Sequence, residues 1–385
     1  GIEALIRFDE IASTEKLIQV HSEWITEDER DLSLHSEGSM VPDSLFCAMG
    51  GTTEMVIDEV IAKGHFGFLA APEKSFKSYV SLDAAISVAT GTPFLNRFAV
   101  PQKRKVLLIS NETQIADYKR QRAAILTSKG LDPNTPLDNL FWNRSLFDLS
   151  DSEGSLERFR KVCRDNPDCL MIIDPFNHCL GDLASQNSNK AVMTSALSRW
   201  SAITEQFGVT LLINHHTNDS LYPRAEPARR NMSHVGPESW GRYHVMMNEL
   251  KPYNNDDGTM QLFFFIEGNA QIGGKFVLSI DEGANKDHWK PSITTLKEHK
   301  ERKAAAKVEA TDSALESIQR AILAGLATKE TPQSVNAISK LPGVQVDRTS
   351  VMLRQALEAL VSDNKIKCRS KKTGEKTFNK YELIG

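Results

Sequence analysis

The chain has 385 residues, 40% hydrophobic, 25% charged and 7% aromatic. That is room for two or three domains of ordinary size and the composition of a folded globular protein, which excludes collagen-like, low-complexity and wholly disordered chains. Its 46 Lys/Arg against 50 Asp/Glu leave a formal net charge of −4, so the molecule as a whole is no polycation. No window approaches 18 consecutive apolar residues, Gly1-Ile2-Glu3 begins no signal-peptide pattern, and the five cysteines lack C-x-x-C spacing. These features point to a cytoplasmic protein with reduced thiols and no membrane partner.

Residues 1–45 show no sustained period and are read as an N-terminal extension. From residue 46 to 290 short apolar strands at 65–71, 106–109, 169–173 and 209–213 alternate with helical patterns at 77–90, 115–128 and 190–207. Buried strands alternating with helices predict an α/β core with a mainly parallel sheet. Strand-like runs at 243–250, 260–267 and 276–281, with Asp256-Asp257-Gly258 as a hairpin signal, predict an antiparallel extension of that sheet. Residues 291–312 are rich in charge and alanine and read as a linker. Beyond it, helical stretches at 313–327, 332–340 and 348–361 precede two strands around Thr373-Gly374-Glu375. Three helices and a hairpin is the winged-helix order, so 313–385 is read as a small winged-helix domain.

Several positions carry chemistry. Ala71-Pro-Glu73-Lys74-Ser75-Phe76-Lys77-Ser78 ends a strand and opens a helix, where backbone N–H groups and the helix N-terminus face an anion. Glu73 to Ser78 form the candidate nucleotide loop, with Lys77 directed at the β- and γ-phosphates of ATP and Ser78 a Mg²⁺ ligand. Ala71 and Phe76 stand where such loops carry glycine, and a left-handed backbone at a bulky residue costs about 1–2 kcal/mol. Asp174 ends the strand 169–173 and is the second candidate Mg²⁺ ligand. Glu112, just past the strand 106–109, is suited to act as general base toward water, and His215-His216 could sense a γ-phosphate. Each position also has a structural reading as a helix cap or a hydrogen-bonded histidine. Parallel α/β sheets bind ligands where such strand ends converge.

This ordered set resembles the RecA-like ATPase core of the RepA-type hexameric replicative helicases of plasmids, phages and mobile elements, AAA-type ATPases in the broad sense. The resemblance runs from about 53 to 285. Besides the loop it includes Thr90-Gly91-Thr92-Pro93-Phe94-Leu95-Asn96, Ser110-Asn111-Glu112, Ile172-Ile173-Asp174-Pro175 with Gly181-Asp182 downstream, His215-His216-Thr217, and Gly236 followed by Arg242. It implies ATP and Mg²⁺ bound at subunit interfaces of a homo-oligomeric, hexameric ring, with Arg242 as an arginine finger toward a neighbour's nucleotide. It further implies that the loop carrying Arg224, Arg229 and Arg230 faces single-stranded DNA in the channel. Disorder is the alternative reading of that loop.

In the tail, Asp347 to Ser350 are expected to cap a helix whose Val351, Leu353, Leu357 and Leu360 face a small core. Arg348 and Arg354 would then meet duplex DNA, with Lys365, Lys367, Arg369, Lys371 and Lys372 on the following hairpin. A solvated hairpin or a protein contact would use the same charges. Two functions compete. One is an ATP-driven DNA helicase or translocase working as a ring, which Lys77, Glu112, Asp174 and Arg242 favour. The other is a DNA-binding replication-initiation or regulatory ATPase whose weakened nucleotide site acts as an assembly switch, which Ala71 and Phe76 favour. An adaptor of the same fold that only binds partners is a third possibility.

Overall fold

The computed structural model describes residues 42, 43, 47, 53–150, 154–181, 183, 190–217, 226–228, 240–269, 272–344, 346–347, 349–373 and 376–384. The expected N-terminal extension thus lies outside the described residues, apart from 42 and 43. Two compact units divide at residue 296.

Unit one holds β1 (Met55–Ile57), β2 (Ile61–Ala62), β3 (Phe66–Ala71), α1 (Lys77–Thr90), β4 (Val106–Ser110), α2 (Ile115–Ser128), β5 (Leu140–Asn143) and α3 (Ser155–Asp165). It continues through β6 (Leu170–Asp174), α4 (Lys190–Gln206), β7 (Thr210–His216), β8 (Tyr243–Asn254), β9 (Thr259–Gly268), β10 (Gly273–Asp281) and β11 (Lys290–Thr295). Nine strands form one sheet in the order β11-β10-β9-β8-β3-β7-β6-β4-β5. The six from β8 to β5 run parallel, and β9, β10 and β11 add antiparallel neighbours. This large, mostly parallel sheet is the α/β core that the alternating pattern predicts.

Successive strand residues point to opposite faces of a sheet. Leu69, Ala71, Val106, Leu108, Leu170, Ile172 and Leu212 pack on one face with α1 and α2. Phe68, Ala70, Leu107, Ile109, Met171, Ile173 and Ile213 pack on the other with α3 and α4. Near-continuous apolar strands are what burial on both faces requires. Where β3 passes β8, a side chain at Gly67 would meet the Tyr243 carbonyl at 2.2 Å, so only glycine fits this close approach.

Helix α1 ends at Gly91, whose φ of 75° suits glycine and whose N–H bonds the Ser87 carbonyl at 2.7 Å. The Thr90–Asn96 turn that follows is fastened by Asp83, which is fully buried in α1. Its carboxylate accepts from the Lys129 ammonium (3.0 Å), the Leu95 amide (3.0 Å), the Ser87 hydroxyl (3.1 Å) and the Trp289 indole N–H (2.6 Å). A buried carboxylate is tolerated only with such a full set of partners.

Two boundaries differ from the sequence reading. Residues 291–295 belong to β11 and not to a linker, because an edge strand tolerates Pro291, which lies opposite Ile280. The stretch that follows is one helix, α5 (Leu296–Ala327), running through the charged and alanine-rich segment into the expected helix at 313–327. The short strands β1, β2 and β5 carry no strong period in the sequence, whereas α3 does, with Leu156, Phe159 and Cys163 at helical spacing facing the core, and it is a helix the sequence reading does not include.

Unit two contains most of α5, then β12 (Gln333–Ser334), α6 (Val335–Ile338), α7 (Val351–Ser362), β13 (Ile366–Thr373) and β14 (Lys376–Leu383). Its three strands pair antiparallel in the order β12-β14-β13. Ile318, Ile322 and Leu326 of α5 pack with Ile338, Leu353, Ala356, Leu357, Leu360, Ile366 and Tyr381. The expectation that Val351 joins this core is corrected: it is 64% exposed. Leu353, Ala356, Leu357 and Leu360 follow the i, i+3, i+4, i+7 spacing of one helix face, and a residue two positions before Leu353 points away from it. Nor does Ser350 cap with its side chain. Asp347 instead accepts from the Thr349 amide at 2.7 Å.

Candidate nucleotide site

The loop between β3 and α1 follows the carboxyl end of a central parallel strand. Its backbone turns through left-handed conformations at Lys74 (φ 60°) and Phe76 (φ 61°), the strained geometry that the missing glycine makes costly. Contacts hold it: the half-buried Phe76 ring packs against Tyr79, Tyr253 and Trp289 at centroid distances of 6.1, 5.9 and 6.3 Å. The Ser75 hydroxyl turns inward to the Pro72 carbonyl at 2.6 Å, while Glu73 and Lys74 are exposed. The first turn of α1 carries no acidic residue, so the helix N-terminus itself favours an anion.

Lys77 is buried, and its ammonium donates to the Ala71 carbonyl (3.2 Å) and to Nδ1 of His216 (2.9 Å). Lysine has no acceptor, so the imidazole accepts at Nδ1 and carries its proton on Nε2. Burial, then the Lys77 charge, holds the His216 pKa below its ordinary value.

Asp174 is fully buried, and burial is the largest influence raising its pKa, with Glu112 adding to the rise. Asn214, Ser78 and Lys77 oppose it from nearby, yet neither carboxylate oxygen has a partner at hydrogen-bond distance. A desolvated carboxylate with two orphan oxygens beside the Ser78 hydroxyl is a hard oxygen donor set that fits Mg²⁺. Asn214 also donates to the Ser81 hydroxyl at 3.0 Å.

Glu112 is exposed on the loop after β4, whose Ser110 lies in register with Asp174. Arg144 donates to the carbonyls of Asn111 (2.8 Å) and Thr113 (2.5 Å), and His178 meets the Asn111 side chain at 2.8 Å. Both neighbours of Glu112 are thereby fixed. A cleft of about 520 Å³ collects loop residues 72–78 with Glu112, Thr113 and His216, and Arg120, Glu282 and Lys286 also line it. That volume suits a small-molecule ligand. Phe76 and Tyr79 are the cleft's aromatic lining residues; behind them Tyr79 stacks on the buried Trp289 at 4.3 Å and 11°, and the Lys286 ammonium sits 5.3 Å from the Tyr253 ring centre.

The structure thus brings Glu73 to Ser78, Glu112, Asp174 and His216 together. It does not bring His215 there. His215 is fully buried among Phe68 and Phe176, at 5.8 and 5.1 Å, on the opposite face of the sheet. The alternation of β7 decides this: Leu212, Asn214 and His216 share the α1 face, and His215 cannot join them. The same rule applied to the sequence would have picked out Asn214, which went unread. Tyr79, Tyr253 and Trp289 left no signal, because three distant segments meet only in the fold.

Arg242 is also away from the cleft. Its amide bonds the Phe66 carbonyl at 2.9 Å, at the amino end of β3, and the length of that strand separates it from the loop by roughly 17 Å. Its guanidinium faces Glu205 at 3.5 Å and the Phe66 ring at 5.5 Å. Arg224, Arg229, Arg230 and Arg348 lie outside the described residues.

In unit two, Arg354, Lys365, Lys367, Arg369, Lys371 and Lys372 are all exposed. The β13–β14 register separates the hairpin cations. Lys367, Arg369 and Lys371 stand opposite Glu382, Lys380 and Phe378, while Lys372 stands opposite Thr377 on the other face, shared with the core residue Tyr381. Arg369 is paired with Glu382 and Lys365 with Asp363.

Residues 48–220 match the family model of the AAA domain, which indicates a nucleotide-binding P-loop ATPase core. The mostly parallel sheet agrees with it. A search of curated proteins found no match to the chain. Among the described residues no helix is long and apolar enough to cross a membrane.

Proposed function

We propose that the protein is an ATP-driven motor that acts on DNA as a ring of identical subunits, a helicase or translocase serving replication of a plasmid, phage or mobile element. The observation that supports the reading is that Lys77, Ser78 and Glu112 line one cleft at the carboxyl ends of parallel strands, with the buried Asp174 close enough to interact with all three. In this reading the loop amides and Lys77 hold the phosphates, and His216, neutral at Nδ1, keeps Lys77 in place. Ser78 and Asp174 would hold Mg²⁺, which when bound neutralises phosphate charge. Glu112 orients water and takes its proton.

Arg242 is too far from the cleft of its own subunit to reach a γ-phosphate, so the finger role requires a neighbouring copy. Unit two, with its three helices, three-stranded sheet and basic hairpin, fits a winged helix that contacts duplex DNA. The decisive measurement is ATP turnover with and without single-stranded DNA, followed by mixing Arg242→Ala with Lys77→Ala subunits. Turnover stimulated by DNA and partly restored on mixing is expected. A chain that sediments as a monomer with ATP analogue and DNA would sink the ring.

The left-handed backbone at Phe76 favours a second reading, an ATPase that binds nucleotide as an assembly switch. Nucleotide-dependent assembly without turnover would select it.

A further inference from the structure

A second cavity of about 460 Å³ adjoins the loop that carries Glu112. Its walls include Trp142 on the edge strand β5 and Ile115 and Tyr118 at the start of α2, and three cations, Lys119, Arg122 and Arg144, line it with no carboxylate among the lining residues. Trp142 is 45% exposed and Ile115 61% exposed, an apolar surface that water does not favour. The Tyr118 and Trp142 rings meet at 66° with centroids 5.1 Å apart, forming an aromatic corner.

We infer that this corner binds an unstacked base of single-stranded nucleic acid. The base stacks on Trp142 and the adjoining phosphates meet Lys119, Arg122 and Arg144. Aromatic faces beside cations are the usual means of holding single strands without sequence preference, and a lining whose charged residues are all cations complements a polyanion. The corner is wired to the hydrolytic residues. Arg144 holds the carbonyls on both sides of Glu112, and Tyr118 donates to Ser110 at 2.9 Å, in register with Asp174. Occupancy would therefore bear on the placement of Glu112, which gives DNA a route to stimulate turnover. That last step rests on the proposed ATPase activity, whereas binding does not.

The test uses the full chain and oligo(dT) carrying 5-iododeoxyuridine, photo-cross-linked and mapped by mass spectrometry. The cross-link should fall on the peptide containing Trp142 and be competed by unmodified oligo(dT), not by an equal concentration of thymidine monophosphate. Trp142→Ala, at a half-exposed site that does not threaten folding, should weaken binding about 10-fold and lower the ratio of stimulated to unstimulated turnover, with Trp142→Phe intermediate. Because cross-linking needs no hydrolysis, an inactive ATPase leaves this arm readable. Cross-links confined to other segments, or unchanged affinity in Trp142→Ala, overturn the proposal. So does loss of self-association with affinity intact, which would assign the corner to a second copy of the chain.

Discussion

The Lys77 ammonium lies 2.9 Å from Nδ1 of His216, so the cation of the candidate nucleotide loop is seated by an imidazole whose own protonation would place a second positive charge beside it. The folded pKa of His216 is depressed by burial and by Lys77, while the unfolded chain binds that proton near pH 6.5. The linked stability is therefore present above about pH 6.5 and is lost as pH falls toward the lower folded value. Denaturant midpoints measured from pH 7.5 to 5 should fall, and His216→Gln should fall less over the same window. Equal slopes in the two proteins would remove His216 from the acid response.

Glu112→Gln should bind ATP with nearly native affinity and turn it over about 10²-fold more slowly or worse, because only the proton acceptor is lost. Equilibrium binding of a fluorescent nucleotide together with phosphate release measures both quantities. Native turnover in the variant would take Glu112 out of the chemistry.

Phe76 sets two effects against each other. Its left-handed backbone (φ 61°) costs about 1–2 kcal/mol, while its half-buried ring recovers a comparable amount against Tyr79, Tyr253 and Trp289. Alanine loses the ring and keeps the strain; glycine loses both. Phe76→Ala should thus be less stable than Phe76→Gly by about 1 kcal/mol, read from urea unfolding. The reverse order would mean that the strain is not borne at this residue.

Asp83 and Lys129 form a buried ion pair with side chains at 0% and 1% exposure. Asp83→Ala strands the ammonium and the Trp289 indole N–H and should cost about 3–5 kcal/mol. Adding Lys129→Met should recover a good part of it, since both charges are then gone. Additive losses in this double-mutant cycle would contradict the pairing.

On the tail hairpin, Lys367 and Lys371 share a face with Phe378, and Lys372 lies on the other. A duplex meets one face only. Each contacting lysine replaced by alanine should reduce the log–log salt slope of DNA binding by about 0.9. Lys367→Ala and Lys371→Ala should therefore each change the slope and Lys372→Ala should not. Equal effects from all three would point to diffuse attraction.

The sequence alone determined the parallel α/β core, the candidate phosphate loop and the order of the strand-end residues. Each of these is written in local apolar runs, in the Lys77-Ser78 pair, and in the polar residue that ends an apolar strand. It also determined the antiparallel extension and the helical tail with its basic hairpin. What it could not settle was anything that depends on which strands become neighbours. That Ser110 and Asp174 lie side by side, that Asn214 and His216 face α1 while His215 is buried beneath, and that Arg242 stands at the far end of β3 follow from the order β8-β3-β7-β6-β4-β5. The aromatic cluster of Tyr79, Tyr253 and Trp289 behind Phe76 and the Trp142 corner beside Glu112 were invisible for the same reason. Their residues come from segments far apart in the chain, and only long-range packing, which leaves no period in the sequence, brings them into contact.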